Sequence, residues 1–331
     1  MRSHFPLLRM NVPGVMRSGR MRGVRRMSRS AAGTVLLLMS AGLAPGVRAQ
    51  TLDDAIFMDR RILCAGVLYT RDQWRNYWEG TVKRDNGNIG TLTTLSAMYM
   101  ATYGVTDRLN LSASLPYVWT KASQGVLQGQ SGSQDVTFGA KFRAFSTPLT
   151  TAGMLHGIVF LSGTAPTSKY TPDFYPLSIG SSSTRATARG MLTYQGKNGA
   201  YVNGSMAYTR RGNVTLDRVS YYTNGQLYLT NEVQMPDVSE SVLTLGYAAH
   251  GIIAPLSLVQ QRTLGGGDIR RQDMPFVSNR MDFTRVDGSV QFVVPKTSGL
   301  SLHVGGSHVL TGRNVGQSTS FTAGVLLAGR L

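Results

Sequence analysis

A two-residue period in hydropathy runs through most of this chain and constrains its fold more tightly than any other feature. From Leu109 to Trp119 the odd positions Leu109, Leu111, Ala113, Leu115, Tyr117 and Trp119 are apolar, with Asn110, Ser112 and Ser114 between them. Val136, Phe138, Ala140, Phe142 and Ala144 alternate in the same way with Thr137, Lys141 and Arg143. Further alternating sets are Ala186, Ala188, Leu192 and Tyr194, then Val286, Val290, Phe292 and Val294, then Phe321, Ala323, Val325, Leu327 and Leu331. Successive side chains of a strand point to opposite sides of the sheet, so each segment is a ribbon with one apolar and one polar face. Weaker segments near residues 62–69, 91–103, 154–162, 200–210, 239–249, 256–263 and 300–310 bring the expected number of strands to twelve.

The connections say where the apolar faces go. Short ones near 104–108, 146–153, 195–199, 250–255 and 295–299 alternate with long ones near 70–90, 120–134, 163–183, 211–238 and 264–281, and a shorter last one at 311–317. An even number of strands, with short turns at one end and long loops at the other, is the layout of a bacterial outer-membrane barrel. On the apolar faces, Tyr103, Tyr194, Tyr247 and Phe292 fall near the short-turn ends, and Tyr117, Trp119, Tyr208 and Phe321 near the long-loop ends. Two aromatic girdles at the two headgroup levels fit a lipid-facing surface. A soluble β-sandwich also alternates, but it has no reason to sort aromatics to both ends. The expected fold is therefore all-β: a transmembrane antiparallel up-and-down β-barrel of about 12 strands, after a cleaved signal peptide. Within the loop near 211–238, the run from Tyr221 to Tyr228 reads as a hairpin turning at Asn224-Gly225.

The N-terminus carries the address. Eight arginines and no acid occupy the first 30 residues, an apolar core follows at 31–44, and Val47-Arg48-Ala49 precedes Gln50. A basic lead, a short apolar core and a small residue at the cut are the three parts of a secretory signal. Residues 1–49 are read as the signal peptide, with Met27 the start that would give it ordinary length, and 50–331 as the outer-membrane barrel. The leader holds nine of the 34 basic residues and none of the 17 acidic ones, leaving 25 against 17 on the mature chain. The formal charge of +17 is thus largely a property of the leader, and no nucleic-acid partner is expected.

Catalytic and metal chemistry find little support. The one cysteine, Cys64, excludes a disulfide framework and a multi-cysteine zinc site. His156, His250, His303 and His308 show no metal-ligand spacing, no Gly-x-Ser-x-Gly stretch occurs, and the carboxylates are scattered through loops. No enzyme activity, cofactor or metal is expected. The polar faces are more informative, because they line the lumen of such a barrel. Lys141, Arg143, Arg185, Arg189 and Arg285 are expected to point inward with Asp287 their clearest acid, a positive surplus that implies a mild preference for anions. Met98, Met100, Ile158 and Phe160 add apolar inward positions. In the first long loop, Arg71, Trp74, Arg75, Tyr77 and Trp78 form an aromatic-basic cluster suited to lipopolysaccharide or to an extracellular aromatic girdle.

Several local motifs add a resemblance. Tyr103-Gly104-Val105-Thr106-Asp107-Arg108-Leu109, then Leu115-Pro116-Tyr117-Val118, Gln134-Asp135-Val136, Gly139-Ala140-Lys141-Phe142 and Gly163-Thr164-Ala165-Pro166-Thr167 resemble the transporter-like outer-membrane proteins of the phenol-degradation meta-pathway family. The resemblance covers residues 91–170 and implies a barrel that passes small hydrophobic or aromatic compounds. The expected function is an outer-membrane channel or transporter for a small-molecule solute. The alternatives are a structural or adhesive barrel whose extracellular loops act, and an outer-membrane lipid hydrolase. Outer-membrane lipids, lipopolysaccharide and the barrel-assembly machinery are the expected partners.

Cleavage is expected between Ala49 and Gln50. N-terminal sequencing of the membrane-extracted protein should therefore begin at Gln50, and a sequence beginning at Met1 or Met27 would remove the signal peptide from the picture.

Overall fold

A computed structural model of the chain describes residues 54–223, 225–270, 276–297 and 299–331. The expected signal peptide at 1–49 lies outside the described residues, as does Asn224 of the expected hairpin turn. Twelve long strands occur among the described residues. They are β1 (Ile62–Trp74), β2 (Leu92–Thr106), β3 (Leu109–Ala122), β4 (Asp135–Thr150), β5 (Gly153–Pro166), β6 (Arg185–Gly196), β7 (Ala200–Arg211), β8 (Val238–Ala249), β9 (Ile252–Thr263), β10 (Asp282–Val293), β11 (Leu300–Arg313) and β12 (Thr319–Arg330). Each pairs antiparallel with its sequence neighbours, and β1 also pairs with β12 from Ile62↔Arg330 to Gln73↔Thr319, so the sheet closes on itself. It is a twelve-stranded up-and-down barrel.

The alternation sorts side chains as a lipid-facing barrel requires. Phe138, Leu192, Met206, Leu245 and Phe321 are exposed on the outer face. Asn110, Ser114, Lys141, Asn203 and Ser301 are buried on the inner one. Strands of 12 to 16 residues exceed the roughly 9–11 that a tilted strand needs to cross the hydrocarbon, so their ends project into the headgroup layers. Trp119, Tyr208 and Phe321 are exposed at the long-loop end and Phe292 at the short-turn end. Tyr117 packs on Trp119 with ring centroids 4.6 Å apart.

The strands run farther than the period alone indicates. β1 continues to Trp74, past the start of the expected loop at 70, so Arg71 is a strand residue. The expected turn at 146–153 shrinks to residues 151 and 152. The reason is a pair of register shifts, between Arg143 and Phe145 and between Pro148 and Thr150. Each bulge breaks the two-residue period without ending the ladder. The stretch at 70–90 also holds a short hairpin, Asn76–Glu79 with Val82–Asp85, that the alternation does not reveal. The expected ribbon in the 211–238 loop is present as Tyr221–Thr223 paired with Gln226–Tyr228.

Two chain segments fill the ends of the lumen. Ahead of β1, Phe57 packs on Ile158, Phe160 and Met191, while Met58 packs with Ile62, Cys64, Leu68, Met100 and Leu326. Gly104 makes this entry possible, because a Cβ there would overlap the Asp59 carbonyl oxygen. Arg61 fastens the same point, its backbone N–H donating to the Gly104 carbonyl at 2.7 Å. At the opposite end, residues 167–184 fold into the mouth. Leu177 is 0% exposed against Ile89 and Leu92, and its carbonyl accepts from Thr120 Oγ1 at 2.5 Å. The Ile179 carbonyl accepts from Gln134 Nε2 at 2.5 Å.

The two faces make opposite demands on a new charge. Ala113 sits mid-strand on the outer face, so Ala113→Arg should cost about 2–4 kcal/mol in unfolding measurements in lipid vesicles. Thr94→Arg, which turns into the wet mouth of the lumen, should cost far less. Equal losses would mean that the outer face does not meet lipid.

Candidate functional site

The inner wall near the short turns is built around residues 54–59. The Lys141 ammonium, 3% exposed, donates to the backbone carbonyl of Asp54, to its carboxylate at 3.1 Å and to the Ile56 carbonyl at 3.5 Å. The Arg143 guanidinium lies over the Phe57 ring, 4.3 Å from its centroid. A cavity of about 310 Å³ remains between this segment and a wall that includes Arg143, His156, Thr193, Gln195 and Tyr201.

The middle and the mouth are held by paired charges. Arg189 on β6 reaches Glu240 on β8 at 2.6 Å and Ser205 on β7 at 3.1 Å, tying three strands. Near the mouth, Arg185 donates to Asp135 Oδ2 at 2.7 Å, and the Tyr170 hydroxyl donates to Oδ1 of the same carboxylate at 2.5 Å. The Tyr170 oxygen in turn accepts from the backbone N–H of Ser182 at 2.9 Å, which fixes the segment 167–184 in place. Burial, reinforced by the hydrogen bond to Asp135, holds the Tyr170 phenol well above its ordinary pKa, so the hydroxyl keeps its proton. Arg285 forks onto Asp287 at 2.6 and 2.8 Å. Above these pairs lies a cavity of about 520 Å³, bounded by Asp72, Trp74, Gln134, Tyr175, Arg185, Arg211, Phe283 and Arg285 among others.

The lumen is therefore less positive than its alternating residues imply. Lys141, Arg185, Arg189 and Arg285 each face a carboxylate, and Arg143 stacks on an aromatic ring. Asp54, Asp135 and Glu240 reduce the positive surplus expected from these residues. Asp54 enters from the segment ahead of the first strand. Asp135 is the first residue of β4 and points inward in step with Thr137 and Lys141. Glu240 also sits at a regular inward position, opposite Ala207 on β7.

The expected extracellular cluster divides as well. Arg71 is an exposed strand residue on the outer side, paired in register with Phe321. Trp74 turns inward to pack with Ile89, Leu92 and Leu177. Tyr77 lies 6.2 Å from Trp74, while Trp78 is buried and covered by Lys83 at 5.9 Å. Arg75 pairs with Asp85 at 2.8 Å, both well exposed, a contact of little energetic weight. The loops are braced elsewhere, by Asn314, which is 0% exposed. Its side chain accepts from the N–H groups of Gly80 and Ile269 and donates to Asp268 and to the Arg280 carbonyl. Arg313 and Asn314 together hold the Asp268 carboxyl below its usual range.

Of the histidines, His156 hydrogen-bonds Ser146 at 2.8 Å, His250 bonds Tyr247 and His308 bonds Thr319. A Ser–His contact needs a third group to orient the imidazole before it resembles hydrolase machinery. The charged strand residue that shares the cavity wall with His156 is Arg143, a cation and not an orienting carboxylate. No group of three or more metal-ligating side chains occurs among the described residues.

In sequence, residues 88–323 match the family described as the MetA-pathway of phenol degradation. No curated protein matches the chain. In structure, the chain is similar to an outer membrane channel from Pseudomonas putida F1, with a TM-score of 0.65 and 16% identity over 87% of this chain and 100% of that one. Weaker similarity links it to the translocator domain of the autotransporter NalP from Neisseria meningitidis, with a TM-score of 0.43 and 11% identity over 85% and 91% of the two chains. The likeness to the Pseudomonas putida channel is one of fold.

The Arg189–Glu240 pair offers a direct test of how the lumen is held. Arg189→Met leaves the Glu240 charge without its partner and should destabilise the barrel by about 3–5 kcal/mol in urea titrations. Arg189→Met combined with Glu240→Leu should recover most of that loss. Equal destabilisation by the single and double variants would show that the two side chains are not coupled.

Proposed function

The chain belongs to the family described as the MetA-pathway of phenol degradation, and on that premise we propose that it is a bacterial outer-membrane channel for small solutes of hydrophobic or aromatic kind. The observation that carries this reading is the lumen itself. It holds cavities of about 520 and 310 Å³, and the larger lies within the size range of small-molecule sites. A barrel serving only as an anchor needs no such space. Lys141, Arg143, Arg185, Arg189, Arg285 and Asp287 line the lumen in this reading, and the pairing of their charges makes it a passage for weakly charged molecules. The barrel carries out no chemistry of its own.

Its surroundings follow from the same reading. The leader directs export, the barrel-assembly machinery inserts the mature chain, and the outer face meets membrane lipid. The exposure of Arg71 near the long-loop end supports a contact with lipopolysaccharide phosphates.

Liposome swelling with the purified mature protein tests the proposal. Small neutral solutes should enter slowly, because residues 54–59 and 167–184 narrow both ends. Lys141→Met removes the ties to Asp54 and Ile56 and should raise the swelling rate several-fold. Folded barrel that admits nothing, in either form, would favour the structural or loop-display alternative.

A further inference from the structure

We propose that the cavity at the long-loop end is a binding site for an aromatic monocarboxylate, with Arg211 as its anion-binding group and Trp74, Tyr175 and Phe283 as the walls for the ring. The inference deepens the channel reading by naming a solute class, and it rests on that reading for its biological sense.

Arg211 is the last residue of β7 and shares its inward parity with Asn203, Ser205 and Thr209. The other cationic residues lining the cavity each pair with a carboxylate, Arg185 with Asp135 and Arg285 with Asp287. The Arg211 guanidinium makes no ion pair among the described residues. Asp237 lies close by, but its carboxylate accepts from the Arg211 backbone N–H at 2.9 Å and from the Tyr208 hydroxyl instead. Arg185 contributes a second open donor, because its Nε is buried without a partner. Arg185 and Arg211 thus face one cavity with a single carboxylate, that of Asp135, paired with either.

A half-buried guanidinium without a counter-charge is unfavourable, and a planar carboxylate meets its fork of donors with two parallel hydrogen bonds. The remaining wall decides what the carboxylate is attached to. Trp74, Tyr175 and Phe283 supply aromatic surface, which pairs with another ring by offset or edge contacts. Asp72, on the inner face of β1 and six strands away around the barrel from Arg211, opposes a second anionic group. The cavity of about 520 Å³ accommodates a single-ring acid. Free phosphate would use the arginines but leave the aromatic walls idle, and a neutral aromatic would leave Arg211 uncompensated.

Equilibrium dialysis of radiolabelled benzoate against the folded full-length mature protein in detergent tests this directly. Saturable binding is expected, displaced by unlabelled benzoate and poorly by benzamide, its neutral analogue of similar shape. Arg211→Gln should weaken binding about tenfold or more, the loss of one charge-assisted contact. Arg210→Gln, on the exposed neighbour, should leave it unchanged. The gel-mobility shift of a folded barrel on heating shows that each variant has assembled, and the benzoate–benzamide comparison needs no variant. Equal competition by benzamide, unaltered affinity in folded Arg211→Gln, or no saturable binding by the wild type would each overturn the site. Because binding is read without permeation, a protein that swells liposomes but holds no benzoate refutes the site alone. One that binds benzoate yet passes no solute keeps the site and contradicts the channel.

Discussion

Lipid offers no hydrogen bonds to a backbone, so a sheet that faces it on one side cannot leave an edge open. The ladder between β1 and β12 answers that constraint, with twelve residue pairs from Ile62↔Arg330 to Gln73↔Thr319. The rest of the structure depends on it. Closure fixes which side of every strand meets the membrane. It thereby requires Phe138 and Met206 outside, and it confines Lys141 and Arg189 to a narrow interior where neither can remain uncompensated.

That interior explains why the chain folds back into its own barrel. A ring of twelve strands leaves more room than its side chains fill, and inward residues such as Gly139 and Gly104 are small. Residues 54–59 occupy one end, where they supply both the carboxylate and the carbonyl groups that Lys141 needs. Residues 167–184 occupy the other, fastened through Tyr170 to Asp135. The same polar groups that stabilise the lumen therefore set its width. Passage and stability are coupled at Lys141 and Asp135, and a change at either alters both.

Much of this was legible in the sequence because the membrane enforces a strict two-residue period on the lipid side. The twelve strands, their order, and the inward placement of residues such as Lys141 and Arg189 follow from that period. Its failures are equally physical. The strands end in headgroup and water, where alternation is no longer required, so β1 runs to Trp74 beyond its readable end. Bulges between Arg143 and Phe145 and between Pro148 and Thr150 shift the parity without any apolar signature. Charge partners were the least legible part, since Asp54 lies in no strand and Asp135 at the edge of one. Arg211 was missed for the same reason. It ends a strand, and only the cavity gathered from distant strands reveals what it faces.

Whether a solute crosses this lumen is most directly read as electrical current through single molecules of the folded protein in a planar lipid bilayer. A lumen narrowed at both ends yet holding two cavities should give discrete, low-conductance steps. A bilayer that stays at its leak level with correctly inserted barrel would contradict the channel, and large steps would contradict the narrow passage.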